Sequence, residues 1–379
     1  NDLSYTVNYL EEGTNTILST SNTVTGQTFG AEISATSLVK TINGYNYSSS
    51  DKTTLTIGTS NNVINLYYTR VDGLRYTVNY VEFGTNNYLM PSKVVGNQTF
   101  GDTVITSTEI INIPGYTFAS SDKNQITIIV GSNEINLYYK KRTDLTYKVN
   151  YLEEGTGTKI APQKIATNQT FDSLVIATDE MINIDGYYYY NVDKTSLRIT
   201  EGENVINIYY TKRTDLKYTV NYLEKNTNKS LSTPKEVTGQ TFGAEIGTAT
   251  EVIAIDGYTY DSVDKTTLKI TTGENIINVY YNKRSDLSYT VNYLERDTNN
   301  PIRTAKTKQN QVFGTEITSS SEIINIDGYD YYECETDSII IGTGTNVINI
   351  YYTKRQDLKY TVNYLEKDTN IPVKEAKVV

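Results

Sequence analysis

The segment YTVNYLE at 5–11 returns as YTVNYVE at 76–82 and YKVNYLE at 147–153, then unchanged at 218–224, 289–295 and 360–366, each time 71 residues further on. A fixed interval of that length constrains the fold more than any other feature. It replaces the two or three unrelated domains expected of a 379-residue chain with an array of small units, each one supersecondary motif. Aligned on their leading leucines, the units are residues 1–73, 74–144, 145–215, 216–286 and 287–357, with a partial sixth over 358–379. The text begins and stops inside copies, as expected of a piece of something longer.

Within a copy the pattern is β. Tyr5, Val7 and Tyr9 alternate with Thr6, Asn8 and Leu10, and NNVINLYY at 61–68 puts Ile64, Leu66 and Tyr68 on one face. Such period-two spacing of aromatic and β-branched residues predicts strands. GYNY (44–47) and TTLTI (53–57) predict two more, joined by the turn SSSDK, and GQTF (26–29) belongs to a second strand after the EEGTN turn. A Gly-Tyr pair recurs at 44–45, 115–116, 186–187, 257–258 and 328–329 and marks a tight turn. Between Phe29 and Gly44 the spacing of Ile33, Val39 and Ile42 suggests a short helix, whereas the Ser, Thr and β-branched content suggests extended chain. The fold class is therefore mainly β, α+β at most.

A unit of 71 residues buries only a marginal core. The 35 tyrosines answer that need, since each ring adds apolar area while its hydroxyl stays wet. The connections TRVDG, KKRTD, TKRTD, NKRSD and TKRQD are short and polar, without a flexible spacer. Neighbouring copies are thus expected to be coupled. At roughly 33 Å per ten-residue strand, five copies would reach on the order of 150 Å as an elongated rod.

The chemistry of catalysis is sparse. With no histidine, Ser-His and Cys-His nucleophiles and histidine metal sites are unavailable. Neither a phosphate-binding loop nor calcium-loop spacing occurs. Glu11-Glu12 and Glu153-Glu154 run into Gly-Thr turns and read as solvated turn acids, and the lone Cys334 as an incidental small residue. We expect no enzyme, no catalytic residue, no cofactor and no metal. A formal charge of −10 argues against nucleic acid, and no apolar run is long enough for membrane contact in this segment. Asn8, Asn65 and Glu11 recur in every full copy. Lys52, which recurs in four copies, raises the question of a Lys–Asn crosslink, against which paired asparagines are the simpler reading. The candidate ligand-binding residues are Tyr188, Tyr190 and Tyr332. If Tyr187 and Tyr189 match the core-facing Tyr45 and Tyr47, then Tyr188 and Tyr190 face outward, Tyr332 shares the register of Tyr190, and their ring faces could stack on sugars.

The order VNYLEEGT (7–14), VTGQTFG (24–30), INGYNY (42–47) and NVINLYY (62–68) resembles the MucBP (mucin-binding protein) repeat of Gram-positive surface proteins, over all five full copies and the start of the sixth. The resemblance implies a ubiquitin-like β-grasp unit whose first and last strands lie side by side and parallel. It also implies an extracellular place on wall-anchored cell-surface proteins, with mucin glycoproteins or other glycans as partners of some members; neighbouring repeats or like chains are the other expected contacts, from the short joints. The family's glycine pair survives as Gly26/Gly30 and Gly239/Gly243. Elsewhere Asn97, Asn168 and Asn310 replace the first glycine and Asp172 the second. The sequence thus predicts a repeat region of a surface adhesin or, alternatively, a purely structural stalk.

Overall fold

The computed structural model describes residues 2–379. The first copy contains strands β1 (Leu3–Glu11), β2 (Ile17–Gln27), β3 (Glu32–Ser34), β4 (Tyr45–Ser50), β5 (Thr54–Thr56) and β6 (Val63–Arg70). Four of them form a sheet in the order β2-β1-β6-β4, while β3 and β5 pair separately. The first and last strands are central and parallel, from Thr6 opposite Val63 to Glu11 opposite Tyr68. Strands β2 and β4 flank them antiparallel. The second, fourth and fifth copies repeat these pairings in the same register. The protein is mainly β, built of small sheet units in tandem.

The alternation assigned to β1 and β6 is the core. Tyr5, Val7, Tyr9, Ile64, Leu66 and Tyr68 are buried against Ala35, Leu55 and Ile57 of the smaller layer. No α-helix forms between Phe29 and Gly44. That segment is β3 followed by a four-residue 3-10 turn, Ala35–Leu38. Ile33 pairs opposite Leu55, so TTLTI completes this small sheet rather than joining the large one. Three residues of strand are too few to show a period. GQTF also divides: Gly26 and Gln27 end β2, and Thr28-Phe29 lie beyond it. The counterparts of β2 shorten to six residues in copies two, three and four, where Pro91, Pro162 and Pro234 interrupt the hairpin by removing a ladder donor.

The substituted glycine positions all need a left-handed backbone. Gly26 and Gly239 have φ of 73° and 70°, and Asn97, Asn168 and Asn310 have 56–58° at the same place; Asp172 has 62° where Gly30 has 74°. Asparagine and aspartate tolerate this region better than other side chains, so the substitutions keep the turn.

By contact density the chain forms two compact units, one of residues 1–182 with 189–209 and the other of 183–188 with 210–379, and the division runs through the third copy.

Candidate functional site

Two places concentrate chemistry beyond the core: the joints between copies and the outward edge of β4 and its counterparts.

At the first four joints a phenylalanine from the turn after the second strand of one copy (NQTF, GQTF or NQVF) sits on the Gly-Tyr turn of the preceding one. Tyr45 packs edge-on against Phe100, Tyr116 against Phe171, Tyr187 against Phe242 and Tyr258 against Phe313, all with ring centroids 5.6 Å apart. A Cβ on Gly44, Gly115, Gly186 or Gly257 would lie 2.4 Å from that ring, and each of these glycines has φ near +80°. Only glycine fits both the turn and the approach. One connecting residue ties the two copies through its backbone. Arg142 N–H donates to Gly115 O at 2.9 Å, and Arg142 O accepts from Phe171 N–H at 2.8 Å. Val71, Arg213 and Arg284 do the same at the other joints.

The arginine side chain then folds back. Arg142 grips Asp144 through Nε and Nη2 at 2.9 and 2.7 Å, as Arg213 does Asp215, Arg284 does Asp286 and Arg355 does Asp357. Such paired charge-assisted bonds fix geometry as well as attract. They pull the Asp215 carboxyl down to about 2, chiefly through the Arg213 bonds. The first joint lacks this grip because Val71 replaces the arginine.

Its neighbour Arg70 reaches Glu11 instead, at 2.6 Å. Glu11 is therefore not a solvated turn acid. It is 8% exposed, held beneath the end of β6, while Glu12 accepts a bond from Ser48 Oγ. Glu224 and Glu295 similarly face Lys283 and Lys354. The parallel pairing of β1 and β6 brings these distant residues together.

A second acid is fully enclosed. Glu109 accepts from Tyr76 Oη at 2.9 Å and Lys93 Nζ at 2.7 Å. Glu180, Glu251 and Glu322 repeat the arrangement with Tyr147 and Lys164, Tyr218 and Lys235, and Tyr289 and Lys306. Burial, followed by the bond to Glu322, pushes the Tyr289 phenol up to about 12. The first copy has Leu38 and Asn22 in place of the acid and the lysine. Lys52 Nζ bonds Val63 O rather than approaching an asparagine, and Cys334 Sγ lies 3.7 Å from Tyr331 Oη. Among the described residues no cluster of acidic or sulfur groups is arranged to hold a metal ion, and no helix is long and apolar enough to cross a membrane.

The candidate tyrosines are exposed as expected: Tyr188 50%, Tyr190 57% and Tyr332 41%. The structure does not gather them into one site. Tyr188 donates to Asp215 Oδ2 at 3.0 Å with the Arg213 guanidinium 5.2 Å from its ring centre, so it belongs to the joint. Tyr332 is covered by Arg296 at 3.8 Å from its ring centre. It is the extra residue of a β-bulge between Tyr331 and Glu333, where simple alternation fails. Tyr189 corrects the sequence reading: it is 46% exposed rather than core-facing. Its counterparts Phe118, Tyr260 and Tyr331 rest edge-on against the buried Tyr139, Tyr281 and Tyr352, which already fill the core. One ring face is left toward water.

Sequence reasoning missed the role of the GQTF phenylalanines and of Asn62. Asn62 accepts from Gly58 N–H and donates to Ser4 O, tying the last turn to β1, and Asn133, Asn204, Asn275 and Asn346 repeat this in every full copy. Strict recurrence at the 71-residue interval was the signal available.

No family model matches the chain, and no curated protein matches it. Among solved structures it is similar to Streptococcal High Identity Repeats in Tandem (SHIRT) domains 3-4 from a cell surface protein, at 14% identity and a TM-score of 0.17, covering 36% of this chain and 98% of that one. It is also similar to Mub-RV, at 12% identity and 0.16, covering 56% and 99%. A third is the pilus adhesin SpaC from Lactobacillus rhamnosus GG, at 8% identity and 0.14, covering 80% and 47%.

Proposed function

We propose that this chain is the repeat region of a bacterial cell-surface adhesin, extracellular and wall-anchored through a segment outside it, whose units are β-grasp modules of the MucBP kind. The observation that carries this reading is the contrast between constant joints and a varied edge. Phenylalanine on Gly-Tyr recurs at four joints, whereas the outward bulge position carries Ser48, Ala119, Tyr190, Asp261 and Tyr332 in turn. Constant joints suit a spacer, and a varied edge suits weak contacts made many times over. The parallel first and last strands support the β-grasp assignment. Tyr190 is the proposed stacking face for a sugar ring of mucin or another glycan, Tyr188 being held at the joint by Asp215 and Arg213.

A second reading, the purely structural stalk, is favoured by the guanidinium over Tyr332, which occupies the face a sugar would need. Binding of the intact chain to a glycan array and to immobilised mucin separates the two. Retention that falls in a Tyr190→Ala variant supports the adhesin. No retention of any sugar, with straight rods in electron micrographs, supports the stalk.

A further inference from the structure

We propose that each copy is a load-bearing module, in which tension along the chain is taken up as shear between its first and last strands. The proposal holds whether or not the chain binds glycans. The polypeptide enters a copy at the start of β1 and leaves at the end of β6, and these strands are adjacent and parallel. Pulling at Leu3 and Arg70 therefore drags the two strands past each other along their own axes. Every ladder bond between them must strain at once. A pair opened from one end loses its bonds singly, each weak on its own.

Three features reinforce that plane. The residues on its inner face, Val7, Tyr9, Ile64 and Leu66, are at most 5% exposed, so water does not reach the ladder from that side. On the outer face the Asn8–Asn65 side-chain bond crosses it directly. The acid at the end of β1 is pinned to a cation at the end of β6, Glu11 to Arg70 and Glu295 to Lys354. The same parallel register recurs in the second, fourth and fifth copies. Between copies the tie is slighter: two backbone bonds and one ring contact, with a side-chain tie beside them such as Thr272 to Asp185, Thr343 to Asp256 or Lys141 to Asp172. The joints should give way first and the sheets last.

Single-molecule pulling on the intact chain tests this. Loaded from its ends, it should show joint extension at low force, then five unfolding steps of roughly 220 Å each, since 71 residues extend at roughly 3.5 Å apiece from a folded span of roughly 30 Å. The comparison is a chain with handles at Lys217→Cys and Glu274→Cys in a Cys334→Ser background. These exposed positions flank the same end of the parallel pair that begins Thr219 opposite Ile276. That loading opens the pair from one end, and the fourth copy should yield at severalfold lower force. Equal forces in the two geometries would overturn the proposal. In an Asn221→Ala, Asn278→Ala chain pulled from its ends, one step should weaken while four stay unchanged. Five unchanged steps would remove the asparagine bond from the argument, and the two pulling geometries decide the matter even if that copy does not fold.

Discussion

Asn8 Nδ2 donates to Asn65 Oδ1 across 2.8 Å on the outer face of the central parallel pair. Ser21 Oγ donates to Asn8 Oδ1, and Asn65 Nδ2 donates to Asp51 Oδ2, so one line of bonds runs from β2 across β1 and β6 to the turn after β4. Ser92–Asn79–Asn136–Asp122 and Gln163–Asn150–Asn207–Asp193 repeat the whole line. In the fifth copy Glu335 takes the aspartate's place. Replacing the β6 asparagine leaves both neighbours short of a partner, and each such bond contributes about 1 kcal/mol. Asn65, Asn136, Asn207, Asn278 and Asn349 all changed to Ala should lower stability by about 1–2 kcal/mol per copy, read as a fall in the urea midpoint. An unmoved midpoint would mean that water replaces the line without loss.

How much of this was legible in the sequence depends on distance along the chain. The strands β1 and β6 were, because Tyr5, Val7, Tyr9, Ile64, Leu66 and Tyr68 alternate over enough residues to show a period. The paired asparagines were, because they recur without exception. The β3 strand was not, being three residues long and followed by a turn that mimics helical spacing. Tyr189 was misassigned because alternation alone does not show how full the core is: its counterparts Phe118, Tyr260 and Tyr331 rest at the margin of cores that Tyr139, Tyr281 and Tyr352 fill. The seating of Phe100 on Gly44 and the burial of Glu11 under Arg70 depend on which copies and strands become neighbours, and no local pattern encodes that.

The phenylalanine seat predicts a non-additive pair of changes. Gly115→Ala places a methyl 2.4 Å from the Phe171 ring at φ +81°. It should cost about 1–2 kcal/mol from the backbone alone, with a further penalty for displacing the ring. Phe171→Ala removes the obstruction along with the contact. In the double variant the ring penalty should vanish, so the combined loss should fall short of the sum of the single losses. Strict additivity in a denaturation cycle would show that the ring moves aside freely.

Acid should loosen the third connection before it unfolds a sheet. The Asp215 carboxyl is held down to about 2 by Arg213. Its folded value is below its unfolded one, so its contribution is present above about pH 4 and is lost as pH falls toward 2. Carboxyl NMR should place its midpoint near that value. Arg213→Gln should return it to the ordinary aspartate range, and Asp215→Asn should remove this acid dependence from protease cleavage at the connection. A midpoint near 4 in the unaltered protein would show that the paired bonds do not persist in solution.

The first copy supplies a control for the buried acid in the others. Where Glu322 is enclosed with Tyr289, Lys306 and Lys308, the first copy has Leu38, and Asn22 stands in for Lys306. Burial works against the Glu322 carboxylate, but the bonds from Lys306, Tyr289 and Lys308 outweigh it and hold its pKa down. Lys306→Asn alone removes the nearest cation from an enclosed charge. Because Lys306 is itself partly exposed, the loss should be about 1–3 kcal/mol, less than for a fully buried pair. Adding Glu322→Leu recreates the first copy's combination, and replacing an enclosed ion pair by an apolar side chain is often neutral or stabilising. The double variant should therefore regain most or all of the stability that the single one loses. With the carboxylate gone, the Tyr289 phenol should also titrate below about 12, because the Glu322 bond and charge that raise it outweigh the Lys306 charge that lowers it. A raised phenol pKa favours folding below pH about 10 and the benefit is lost as pH climbs toward 12, so the double variant should lose less stability across that alkaline range. Thermal melts at neutral pH, with phenolate absorbance followed on raising it, read both effects; a double variant no more stable than Lys306→Asn would mean that the fifth copy's core cannot accommodate the leucine that the first one holds.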